Sequence, residues 1–247
     1  MREDSNRRES SQRLSLCRWK AGTEAKMPVE LTGPRGRTKR KMIASIVPVS
    51  ATSISEAVKV IRKGGIVVYP TDTVYGLGCD PFAEAAIAKL FEAKGRRVKP
   101  VPVLCDGMRS AKGLGNLSAT ALSLARRFWP GALTIVVPAR RKLPFLIDQG
   151  SGEVGLRVPA LDSCVKLIGM CGGFLTGTSA NATGHPSCRT AAEAFETLGG
   201  SVDMILDGGR REGKESTVVR VCGSSVEVLR EGSVALKGPY GPGRDFH

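Results

Sequence analysis

The chain has 247 residues, 41% of them hydrophobic, with 30 glycines and a formal net charge of +14. That length and hydrophobic share fit a globular chain with a sizeable core, and the glycine content points to many special turns or close backbone approaches. Seven cysteines without a C-x-x-C pair suit neither a disulfide framework nor a zinc knuckle, and no apolar run of about 18 residues is present, so a soluble cytoplasmic protein without a membrane span is expected.

Residues 1–42 carry 12 Lys and Arg against 5 Asp and Glu, half of the whole net charge. The stretch has few apolar residues and no sustained period, so burial cannot offset its ordering entropy, and a disordered basic tail is predicted. It lacks the apolar core of a secretory signal; Glu3, Asp4, Glu9 and Glu24 count against an organellar presequence, and Met27 or Met42 is an alternative start. "SISEAVKVIRKGG" (53–65) reads as a helix opened by a Ser53/Glu56 capping box and closed on glycine. "IVVY" (66–69) follows as a buried strand, stopped by the polar, glycine-bearing "PTDTVYGLG" (70–78). Further helices are predicted over 83–94, 118–129, 163–170 and 190–198, and strands over 101–105, 132–138, 153–159, 204–207, 216–221 and 226–230. The fold class is α/β, one domain over 43–236 with a mixed twisted sheet, and 237–247 forms a C-terminal tail.

Only His185 and His247 are available for imidazole chemistry, and neither a G-x-S-x-G elbow, a Walker A sequence nor a Rossmann G-x-G-x-x-G occurs. What remains is a series of polar loops at strand and helix ends. "AKGRRVKP" (93–100) carries Lys94, Arg96, Arg97 and Lys99; "TGTSAN" (176–181) offers Thr178, Ser179 and Asn181; "ESTVV" (215–219) offers Ser216 and Thr217; Arg157 and Arg230 end two strands. In open α/β sheets ligands bind beyond the carboxyl ends of strands, and isolated cations and hydroxyls gathered there suit a polyanion such as a nucleoside triphosphate.

In this order "GGIVVYPTDTVYGLGCDP", "AKGRRVKP", "FWPGALTIVVP", "GLRVP", "TSAN", "DGG", "ESTVV" and "LREG" resemble the YrdC/Sua5 family, the threonylcarbamoyl-AMP synthases, over about Gly64 to Gly232. The joint K-x-R and S-x-N signature is specific in that setting. The resemblance implies a YrdC-like twisted mixed sheet with flanking helices around a basic cavity. It implies synthesis of L-threonylcarbamoyladenylate from L-threonine, bicarbonate and ATP with release of diphosphate, the first step of N6-threonylcarbamoyladenosine formation on tRNA. Carried over by position, Thr71, Arg157, Gly177 and Ser216 form the threonine side. Lys94, Arg96, Lys99, Ser179, Asn181, Ser187 and Arg230 form the ATP side, with Lys94 and Arg96 at the catalytic centre. Mg²⁺ is expected with ATP and no protein metal ligand is assigned. Expected partners are tRNA or double-stranded RNA and the downstream tRNA threonylcarbamoyl transferase complex.

The chain departs from the family pattern in places. Leu104 or Cys105 stands where many members carry a strand-end histidine, "GTSAN" replaces the commoner "APSAN" or "TTSAN", and Glu231 replaces a proline beside Arg230. The length resembles that of the single-domain type. Thr71 and Thr73 lie two apart and should face one side of an extended backbone, with Asp72 on the other and Thr71 preferred as the substrate contact. The alternative to an enzyme is a non-catalytic module of the same fold that binds structured RNA.

Overall fold

Ser50, two residues after a proline, opens the first helix. Its hydroxyl accepts from Ser53 N at 3.0 Å, and the Ser53 hydroxyl accepts from Ser50 N at 2.8 Å, a reciprocal cap that starts α1 at Ala51–Arg62. The predicted start at Ser53 is therefore too late: Ser53 occupies the N3 position and also donates to Pro48 O, so it answers a cap instead of being one. The computed structural model describes residues 44–95 and 99–236; the predicted tails and Arg96 lie outside the described residues.

The other predicted helices form as α2 (Glu84–Lys94), α4 (Ala119–Phe128), α6 (Asp162–Met170) and α7 (Ala191–Leu198). Gly95 takes a left-handed φ of 55° to end α2, the conformation that releases the chain from a helix. Thr190 caps α7 by accepting from Glu193 N, while the Glu193 carboxylate accepts from the preceding Arg189 N–H. Two short helices, α3 (Met108–Leu114) and α5 (Phe145–Asp148), have no counterpart in the sequence reading; Gly107 and Gly113 obscure the first, and four residues are too few to show a period in the second.

The strands divide into two mixed sheets, where the sequence reading expected one. Strands β1 (Ser45–Pro48), β9 (Met204–Asp207), β2 (Val67–Pro70), β3 (Tyr75–Gly78) and β8 (Thr178–Ser179) form the first in the order β1-β9-β2-β3-β8. Strands β11 (Ser225–Arg230), β10 (Thr217–Cys222), β5 (Leu133–Pro138), β6 (Glu153–Arg157), β4 (Val103–Cys105) and β7 (Phe174–Thr176) form the second in the order β11-β10-β5-β6-β4-β7. Pro102 stays outside β4, which removes the conflict of a proline within a paired strand. Val67 and Tyr69 enter one core cluster, with Ile54, Val58 and Ile61 of α1 and Leu167 of α6, while Val68 enters the other with Leu133, Ile135 and Leu156. Strand alternation thus feeds two cores, which is why 66–69 is apolar at every position.

The nine residues 70–78 are a hairpin: β2 ends at Pro70, residues 71–74 turn, and β3 returns antiparallel with Tyr69 opposite Gly76. A Cβ at Gly76 would lie 2.9 Å from Tyr69 Cζ, and one at Gly78 would lie 2.6 Å from Tyr69 Cε1 and 2.9 Å from Leu175 Cγ. The glycines make a trough for the buried Tyr69 ring, whose hydroxyl donates to Thr176 O at 2.7 Å. Gly78→Ala should therefore lower stability by about 1–3 kcal/mol through overpacking, read as a lower urea midpoint at unchanged slope. Gly113→Ala, whose Cβ would meet nothing within 4 Å, should leave the midpoint level or raise it.

Candidate functional site

The two sheets and the end of α2 enclose a cavity of about 540 Å³. Its wall is built from the ends of elements: Thr71, Thr73 and Val74 of the turn, Lys94 and Gly95, Lys99, Leu104, Arg157, Gly177 to Ser179, Asn181, Glu215 and Ser216, and Arg230. This size lies in the usual range of roughly 300–1,000 Å³ for small-molecule sites. Among the described residues the lining has four cations, Lys94, Lys99, Arg157 and Arg230, against one carboxylate, Glu215. An anionic ligand is favoured.

Lys94 is the last residue of α2 and only 4% exposed. A buried ammonium must be met by acceptors. Its Nζ donates to Ser179 O, to Asn181 O at 2.8 Å and to Asn181 Oδ1 at 3.4 Å. Ser179 Oγ donates to the same Oδ1 at 2.5 Å, and Asn181 Nδ2 donates to His185 O at 2.5 Å. The main chain adds Thr183 N–H to Lys94 O at 3.0 Å. Lys94, Ser179 and Asn181 are one hydrogen-bonded unit.

Arg157 ends β6 and is 5% exposed. Its Nε donates to Gly131 O at 2.9 Å, its Nη1 to Thr73 Oγ1 at 3.2 Å, and its Nη2 to Asp72 Oδ1 at 2.6 Å. Thr71 Oγ1 donates to Val74 O at 2.6 Å and lies 2.9 Å from Thr73 Oγ1. With the Thr71 proton committed to Val74 O, Thr73 donates to Thr71 and accepts from Arg157. Both threonine hydroxyls share one side, as expected, although the cause is a turn and not an extended strand. Asp72 does not line the cavity; it anchors the arginine that does.

Arg230 donates from Nη2 to Ser216 O at 2.8 Å and to Ser216 Oγ at 3.1 Å, and Ser216 Oγ lies 3.0 Å from Thr134 Oγ1. The carboxylate that meets Arg230 is Glu215 at 3.1 Å, not the adjacent Glu231 considered from the sequence. Burial lowers the Arg230 guanidinium pKa, with Glu215 opposing that shift and Arg157 adding to it. The group stays cationic because arginine titrates far above neutrality. Ser187 reaches the wall only by donating to Glu215 and does not line the cavity itself. Lys99 is exposed at the rim.

Of the eleven site residues read from the sequence, nine line this cavity, Ser187 touches it through Glu215, and Arg96 lies outside the described residues. The sequence reading gave no role to Glu215, although it stands in the quoted "ESTVV". Among the described residues no cysteine lines the cavity, and burial pushes the Cys79 thiol up to about 12 and that of Cys171 up to about 11. Among the described residues no three His, Cys, Asp or Glu side chains are grouped to hold a metal, and no helix is long and apolar enough to cross a membrane.

The family model Sua5/YciO/YrdC, described as telomere recombination, matches residues 59–232. The chain belongs to this family. A threonylcarbamoyl-AMP synthase of Pyrococcus abyssi is 37% identical over 180 residues, which cover 72% of this chain and 53% of that protein. A putative threonylcarbamoyl-AMP synthase of Mycobacterium tuberculosis is 40% identical over 187 residues, covering 74% and 86%. The chain thus spans about half the length of the Pyrococcus relative and most of the Mycobacterium one. The crystal structure of P. abyssi Sua5 complexed with L-threonine superposes with a TM-score of 0.72 at 35% identity, over 77% of this chain and 57% of that one. E. coli YciO, 24% identical, shares the fold with a TM-score of 0.74 over 80% of this chain and all of its own.

In this Sua5/YciO/YrdC chain the lysine end of α2 and the S-x-N loop stand or fall together. Lys94→Met leaves two carbonyls without their ammonium, a loss of about 1–3 kcal/mol. Hydrogen exchange should report it: the amides of Ala180 and Thr183 should exchange about tenfold faster or more, while those of α1 keep their rates.

Proposed function

We propose that this chain makes L-threonylcarbamoyladenylate from L-threonine, bicarbonate and ATP and releases diphosphate, supplying the first step of N6-threonylcarbamoyladenosine formation on tRNA. The observation that carries the reading is that Arg157 with its threonine turn and the Lys94–Ser179–Asn181 unit line one cavity with a basic wall. Family membership and the relatives named threonylcarbamoyl-AMP synthase support it.

The chemistry asks for positioning more than for an acid or base. The threonine amine attacks the bicarbonate carbon, and loss of water leaves a carbamate. A carbamate oxygen then attacks the α-phosphorus, the bond from the α-phosphorus to the bridging oxygen breaks, and diphosphate leaves. Both steps bring anions together, so fixed cations and donors lower the barrier by offsetting repulsion and holding the reactants in line. Arg157 takes the amino acid carboxylate, with Thr71, Ser216 and Gly177 completing that side. Ser179, Asn181, Lys99 and Arg230 face the phosphates, Lys94 fixes the loop that presents them, and Arg96 is assigned to the nucleotide by its place in the K-x-R signature alone. Mg²⁺ would enter with ATP and would offset phosphate charge; no protein ligand is assigned to it, and among the described residues no three His, Cys, Asp or Glu side chains are grouped to hold one. The activity is assigned to residues 43–236, in the cytoplasm, with tRNA and the downstream threonylcarbamoyl transferase complex as partners.

Purified protein with ATP and magnesium should release diphosphate only when threonine and bicarbonate are both present, and a Lys94→Ala/Arg96→Ala double variant should not. Release that ignores threonine overturns the reading. RNA binding that survives loss of Lys94, ignores ATP and falls steeply with salt would favour the RNA-binding alternative. Arg157→Ala should raise the apparent KM for threonine by about 10-fold to 100-fold, the worth of a hydrogen bond to a charged group. The KM for ATP should change much less.

A further inference from the structure

Leu104 and Gly177 both line the cavity, and neither makes sense without the other. A Cβ at Gly177 would lie 2.6 Å from Leu104 Cγ and 2.7 Å from Leu104 Cδ2, closer than carbon atoms approach. Gly177 is not at a left-handed φ, so sterics and not backbone conformation requires the glycine. The Leu104 isobutyl group fills the volume that a side chain at 177 would take.

The place it fills is next to Arg157. β4 runs parallel to β6 with Leu104 in register with Arg157, so the two side chains emerge from neighbouring strands about 4.8 Å apart. Paired residues on neighbouring parallel strands point to the same face of the sheet, so Leu104 and Arg157 approach the cavity from one side. The polar groups behind Leu104 are turned into the protein: Tyr69 Oη donates to Thr176 O at 2.7 Å, and Gly177 N–H donates to Pro102 O at 2.8 Å. Leu104, 2% exposed, is held on its far side by the core cluster of Tyr69, Leu167 and Leu175, so it cannot retreat.

We propose that Leu104, seated against Gly177, is a specificity-determining residue: its isobutyl group is the apolar contact for the side-chain methyl of the amino acid whose carboxylate Arg157 holds. The inference rests on the threonine-binding reading above and deepens it. Serine, which lacks the methyl, binds more weakly for want of this contact. A missing methyl in an apolar pocket changes binding by about 10-fold or more. Gly177→Ala drives Leu104 into the cavity and spoils the contact, whereas shortening the leucine makes room again.

Calorimetric titration of threonine and serine tests this directly and needs no turnover. The wild type should bind threonine about 10-fold or more tighter than serine, and Leu104→Ala should shrink that ratio to about 3-fold or less. If Leu104→Ala does not fold, Leu104→Val should move the ratio in the same direction. Gly177→Ala should weaken threonine by about 10-fold with ATP affinity within about twofold, and Leu104→Val in the Gly177→Ala background should recover most of the loss. An unchanged threonine-to-serine ratio in the Leu104 variants, undiminished threonine binding by Gly177→Ala, equal loss of ATP and threonine binding, or absence of recovery overturns the proposal. So does a wild type that binds neither amino acid. A wild type that binds threonine with this selectivity yet releases no diphosphate leaves the Leu104 contact standing and removes the synthase reaction.

Discussion

The buried ammonium of Lys94 is the constraint on which the site depends. A charge at 4% exposure is tolerable only when acceptors surround it, and the acceptors come from a loop 85 residues away in sequence. Satisfying the lysine therefore fixes where the end of α2 meets Ser179 and Asn181. It also draws in β8, because Ser179 pairs with Gly76 of the β2–β3 hairpin. The hairpin in turn carries Asp72 and Thr73, which Arg157 engages, and Thr71, which Thr73 contacts. One electrostatic requirement thus links the first sheet to the side chains that close the cavity.

The second sheet contributes in the same manner. Arg157 is held by Asp72, Thr73 and Gly131, and Arg230 by Glu215 and Ser216. Each arginine lines the cavity while part of its hydrogen-bonding fork is spent on protein oxygens. Arginine suits this double duty because its planar fork offers five donors, so some can position the group while others face a ligand. Glu215 deserves a place beside these cations: it ties Ser187 and Arg230 together at the wall and lowers the positive charge there.

Much of this was legible in the sequence because the signals were local or collinear. Ile54, Ala57, Val58 and Ile61 recur at helical spacing in the sequence and form the buried face of α1, and nine of the eleven site residues expected from the loop motifs line one cavity. The misses have physical causes. β3 escaped notice because "YGLG" has poor strand propensity, and only the Tyr69 ring packed over Gly76 and Gly78 explains the glycines. The helix start moved from Ser53 to Ser50 because a serine at N3 can complete a capping box in place of glutamate. Division of the strands between two sheets depends on long-range pairing, to which strand alternation is blind. The Leu104–Gly177 fit likewise joins a residue of β4 to one between β7 and β8, although each had stood out alone as a departure from the family pattern.

Coupling between Lys94 and Asn181 is the most direct measure of whether one charge organises the site. A double-mutant cycle with Lys94→Met and Asn181→Ala, read as the dissociation constant for ATP, should show a double variant scarcely weaker than the worse single one. That corresponds to an interaction energy of about 1 kcal/mol or more. Losses that simply add would contradict the account, because the two residues would then bind the nucleotide independently.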